Sequence, residues 1–157
     1  MTKFNRRTYS FGTFQREAAG IAGDAKLVPA TLAGLEPALR ERVMLAVTGV
    51  NDCRYCRFTH TRLGLRAGLS QAEIDQILGG GIEWVPESER PAVEFARRWA
   101  MRNGEEDPAE MAMLAERYGQ HKAGQIQMAC RLIRLANLSG NTLDSIFFKV
   151  SGGWLGA

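Results

Sequence analysis

Lysine is scarce in this chain: four residues, against sixteen arginines. The basic side chains are scattered among seventeen acidic ones, so the net charge is only +3 and no run suited to a nucleic-acid backbone stands out. No apolar stretch approaches the ~18 residues that a membrane span needs. The opening residues, MTKFNRRTYSFGTF, carry neither an apolar h-region nor a small-residue cleavage site. A cytoplasmic protein with no nucleic-acid or membrane partner is therefore expected. Cysteine is sparse as well, and three of them, an odd number, exclude a disulfide scaffold. Strand patterns, low-complexity tracts and internal repeats are missing too.

What is present is helical punctuation. With 157 residues, 45% of them apolar and 24% charged, the chain has the size and balance of one globular domain, 1–157. An aromatic, basic arm over about 1–30 (Phe4, Tyr9, Phe11, Phe14) includes a short helix at 15–22, and Pro29 interrupts. Pro37 suits the first turn of a helix over 37–50, polar at its start and apolar on nearly every side afterwards, which marks a buried or oligomer-facing element. Asn51 and Asp52 stop it and can cap a helix over 52–66, with Gly68 as its C-terminal glycine. Ser70 and Glu73 form a capping box for 71–78. Ser88 and Pro91 open a helix to about 103, and Asp107, Pro108 and Glu110 open another that Gly119 ends. Two more segments, 120–138 and 141–150, precede a tail over 151–157 that is expected to be loose. The fold class is all-α, with short connections and antiparallel neighbours.

The chemistry lies in NDCRYCRFTH, residues 51–60. On a helix, Cys53, Cys56 and His60 fall within about 60° of one face. One turn separates the thiols, so a reversible disulfide is sterically allowed. His60, four residues after Cys56, can reach it. An antiparallel hairpin would return Glu41 of the preceding helix towards this face, and a buried carboxylate near an imidazole can exchange protons with it. Each feature has an ordinary reading: small hydrophobes for the cysteines, a solubilising acid, a hydrogen-bonded histidine. Their joint spacing tips the balance.

Glu41–x11–Cys53–x2–Cys56–x3–His60, with RERVMLAVTGVNDCRYCRFTHTRLGLRAGLS around it, resembles the alkylhydroperoxidase D (AhpD)-like family of the carboxymuconolactone decarboxylase superfamily. The resemblance covers about 36–80, and LANLSGNTLD at 135–144 is a weaker likeness. It implies a single-domain helical fold assembled as trimers or hexamers, and a thiol peroxidase that cycles a dithiol and a disulfide. No bound cofactor is implied; an external donor such as a dihydrolipoyl protein restores the dithiol, and a peroxiredoxin is a further candidate partner. A thiolate attacks the O–O bond of a hydroperoxide, becomes a sulfenic acid and condenses with the second thiol. Helix position alone favours Cys53 as the attacking thiol. The histidine spacing favours Cys56, because a general base acts only within hydrogen-bond reach, and the resemblance agrees. The expected roles are therefore Cys56 peroxidatic, with its pKa lowered mainly by His60, Cys53 resolving, and His60 and Glu41 a proton relay.

Three rivals remain: a disulfide reductase or redox-sensing helical oligomer, a metal site, and a decarboxylase-type enzyme. Cys53, Cys56, His60 and Glu41 or His121 could make four zinc ligands, but no second CxxC or HxxxH accompanies them. Cys130, among apolar neighbours, reads as core, and His121 as surface. A homo-oligomer is expected, because the 37–50 helix and Trp84, Trp99 and Trp154 offer more apolar surface than one contact covers.

Overall fold

The computed structural model describes residues 3–156. Among them the architecture is all-helical: α1 Phe11–Gly23, α2 Leu27–Gly34, α3 Pro37–Asn51, α4 Arg54–Arg66, α5 Gln71–Gly79, α6 Arg90–Met101, α7 Pro108–Tyr118 and α8 Gln120–Val150. The starts follow the capping chemistry. Ser70 accepts from the N–H of Glu73, and Asp107 from those of Ala109 and Glu110, each cap holding about 1 kcal/mol of helix stability.

α3 is the central element, packed against α4, α5, α6 and α8. Leu39, Val43, Leu45 and Val47 are fully buried, each contributing about 1.5–3 kcal/mol by leaving water. Buried Arg42 ties this helix outward through Glu73 at 2.6 Å and Glu89 at 2.9 Å. The apolar faces of α3 are thus covered within the chain, and Trp99 is buried in the same core. The expectation that α3 needs another subunit to cover it is corrected. The large apolar side chains left exposed lie elsewhere, notably Ile146, Val150, Trp84 and Trp154.

Other expectations shift. The arm carries two helices, α1 and α2, with Pro29 inside the first turn of α2, where its missing N–H costs nothing. Asp52 ends α3 in the left-handed region (φ 53°), but Cys53, not Asn51 or Asp52, caps α4. Glu89 replaces Ser88 ahead of α6. Ser139–Gly140 does not divide the last helix: α8 runs unbroken for 31 residues. Gly140 is there for closeness, since a Cβ at this position would meet Cys53 Sγ at 3.1 Å and the Tyr55 ring at 3.2 Å. The tail is a defined turn, in which Ser151 Oγ accepts from the N–H groups of Trp154 and Leu155.

Candidate active site

Cys53 sits at the mouth of α4 and Cys56 in its first turn. Their sulfurs are 2.9 Å apart, and both cysteines are free thiols. Either sulfur can donate across that contact. A further donor decides the balance: the backbone N–H of Cys56 points at Cys53 Sγ from 3.4 Å. Cys53 is therefore the sulfur set to hold the negative charge. Its pKa falls from an ordinary 9.0 to about 6, first through the hydrogen bond from the Cys56 thiol, with the backbone of Cys56 and Tyr55 assisting against burial. Cys56 is pushed up by the same bond and by burial, which the Asn137 side chain only partly offsets. The expectation that His60 lowers Cys56 is corrected, because the partner that matters is the neighbouring sulfur.

His60 spends its hydrogen bond elsewhere. Its Nδ1 lies 2.7 Å from Glu41 Oε2, across the α3–α4 hairpin, and Glu41 is 1% exposed. Arg40 Nε donates to the other oxygen at 3.3 Å, and Arg40 Nη1 donates to the carbonyl of Leu32. The hairpin thus joins Glu41 to His60 and, separately, Cys53 to Cys56. Among the described residues no hydrogen bond links the imidazole to a thiol. A cavity of about 300 Å³ opens beside the Glu41–His60 pair, walled by Leu32, Met44, Leu63, Leu132 and Ile133. A larger open groove of about 890 Å³ lies between α6 and α7, lined by Arg–Glu pairs with no thiol or imidazole facing it; the smaller cavity is lined by the imidazole and its acid but by neither cysteine.

The sequence reading missed the polar ladder behind the thiols. Asn137 Nδ2 donates to Thr48 at 3.2 Å, Asn51 Nδ2 donates to Asn137 Oδ1 at 3.2 Å, and Asn141 Nδ2 donates to the Asn51 carbonyl at 2.7 Å. All four residues are buried, and together they fasten α8 to the end of α3. The signal available was a pair of asparagines four residues apart, 137 and 141, on one face of α8. Cys130 is fully buried, and burial raises its pKa beyond use at neutral pH. His121 is exposed. Among the described residues, no three His, Cys, Asp or Glu side chains are grouped to hold a metal ion, and no helix is long and apolar enough to cross a membrane.

No curated protein and no solved structure matches the chain. The model of the carboxymuconolactone decarboxylase family, which includes AhpD-like proteins, matches residues 24–100, a segment that runs from before α2 to the end of α6 and holds Glu41, Cys53, Cys56 and His60. The matched segment, just under half of the chain, contains the α3–α4 hairpin that carries these four residues and is similar to the carboxymuconolactone decarboxylase family.

Proposed function

We propose that the protein is a thiol-dependent peroxidase of the AhpD-like type, reducing a hydroperoxide with its CxxC dithiol. The observation that carries this reading is the contact of two reduced thiols at 2.9 Å at the start of α4, the helix whose His60 meets Glu41 of α3 at the wall of a largely apolar cavity. Cys56 is the attacking sulfur and Cys53 the resolving one. Cys56 is 8% exposed and Cys53 0%, so an incoming peroxide meets Cys56 first.

At rest the pair shares one proton, with the charge on Cys53. Transfer of the Cys56 proton across the sulfur contact makes Cys56 the thiolate. It attacks the terminal peroxide oxygen, the O–O bond breaks, and the Glu41–His60 pair in its protonated state gives a proton to the leaving alkoxide. The Cys53 thiol then condenses with the Cys56 sulfenic acid, forming the disulfide and releasing water. The dithiol and hydroperoxide become disulfide, alcohol and water. An external dithiol, a dihydrolipoyl group in this reading, reduces the disulfide by exchange. The exposed stripe Leu143, Ile146, Phe147 and Val150 on α8 is the surface on which a second copy of the chain would pack in a homo-oligomer.

The test is peroxide consumption by the purified protein with dihydrolipoamide as donor, using tert-butyl hydroperoxide as substrate. Catalytic consumption is expected. If peroxide is untouched while a protein disulfide is reduced, the chain is a disulfide reductase and this reading is wrong.

A further inference from the structure

Cysteine is not among the residues that cap helices well, and a sulfur 3.4 Å from the N–H it accepts is a weak anchor. Something else must hold the turn that keeps Cys53 in place. At this end of α4 a buried carboxylate takes up the task. Asp144, on α8 and 0% exposed, accepts from the Tyr55 hydroxyl and from Arg54 Nη2 on one oxygen, both at 2.7 Å. Its other oxygen accepts from Arg6 Nη1 at 2.9 Å. Arg54 and Tyr55 are the two residues between the cysteines. Arg6 also bonds the carbonyl of Gly156, and a Cβ on Gly156 would come within 2.2 Å of the Asp144 carbonyl oxygen, so the tail closes over the same point. Asp144 lies outside the segment that matches the family model, and no step of the proposed cycle uses it.

We infer that Asp144 is a positioning residue for the dithiol: by gripping both residues between the cysteines, it fixes the CxxC turn so that Cys53 Sγ stays at the helix mouth against Cys56. The inference rests on the reading of this pair as the redox centre. Charge-assisted bonds to a buried carboxylate are about twice as strong as neutral ones, so the grip is stiff. Position and charge act in opposite directions here. As a bare anion, Asp144 disfavours a thiolate on Cys53; as a strut, it keeps the Cys56 thiol and the Cys56 and Tyr55 backbone donors aimed at that sulfur. The other charges near this end of α4 are Arg54 itself, Arg6 from the arm, and the exposed Asp52–Arg57 pair.

That opposition supplies the test. The full chain, fully reduced, is alkylated with iodoacetamide across pH 5 to 9, and Cys53 labelling is followed by mass spectrometry in the wild type, Asp144→Ala, Asp144→Asn and Tyr55→Phe. If Asp144 positions the turn, Asp144→Ala moves the Cys53 profile upward by about half a pH unit, roughly threefold less thiolate on the rising limb, although a negative charge has been removed. Asp144→Asn, which keeps an acceptor for Tyr55 and Arg54, recovers part of that shift. Tyr55→Phe, at a half-exposed side chain that tolerates the change, moves the profile the same way by less, so the test survives if Asp144→Ala does not fold. A profile that stays put or moves down in the folded variants overturns the inference. No peroxide enters the measurement. An upward shift in a protein that proves unable to reduce peroxide would support the strut while sinking the peroxidase reading.

Discussion

Glu41 and Asp144 are both lone carboxylates buried at helix crossings beside α4, yet their partners give them different capacities. Glu41 faces an imidazole, whose two ring nitrogens can both accept and donate a proton, and a cavity opens next to the pair. Asp144 faces two guanidinium groups and a phenol, which here only donate to it. The first arrangement can move charge, and the second can only hold position. Burial alone does not separate the two roles; the donor set around each acid does.

The largest effect expected is at the thiols that both acids serve. Cys56→Ser should abolish peroxide turnover, while Cys53→Ser should consume about one equivalent of peroxide and stop at the sulfenic acid. If Cys53→Ser loses that burst and Cys56→Ser keeps it, the resting charge marks the nucleophile, and the Asp144 end of the turn becomes the reactive one. Next, Glu41→Gln keeps the shape but cannot carry a proton, so steady-state turnover should fall by about 10²-fold or more. Equal loss in Asp144→Asn would erase the distinction between the acids. Equilibrium denaturation should reverse their order: Asp144→Ala leaves part-buried Arg6 and the Tyr55 hydroxyl without their acceptor and should cost about 1.5–3 kcal/mol, more than the isosteric Glu41→Gln.

The most gradual effect is a pH dependence of stability. A thiol whose folded pKa is about 6, against an ordinary 9.0, leaves the unfolded chain binding more protons between those values, so Cys53 adds stability as pH rises from 6 to 9 and loses it as pH falls. Cys56, pushed the other way, adds stability below 9 and loses it above. Urea midpoints of the reduced protein should therefore rise towards pH 9 and fall beyond it, and Cys53→Ser should remove the rising limb.

Much of this was legible in the residues. Ser70, Asp107, Pro37 and Gly119 mark helix ends through local chemistry, and the spacing of Glu41, Cys53, Cys56 and His60 encodes a hairpin whose acid and imidazole meet at 2.7 Å. Two things were not legible. Helical spacing places His60 within reach of Cys56, but it carries no information about competition, and Glu41 is the stronger acceptor for the imidazole. Gly140 looks like a helix stop because its usual local meaning is conformational, whereas here its missing Cβ serves a neighbour 87 residues away in the chain. Asp144 escaped for the same reason: its partners come from the arm and from α4, and long-range pairing leaves no periodic trace.

The nearness of α8 at Gly140 also bears on how foreign electrophiles would meet this protein. One side of Cys53 is closed by main chain, which cannot swing aside as a side chain would. Cys53 is itself 0% exposed, so any reagent reaches it only when its surroundings open, and on this side opening means moving a 31-residue helix. The glycine thus lets a rigid wall stand against the inner thiol, where a larger residue would have kept the wall away.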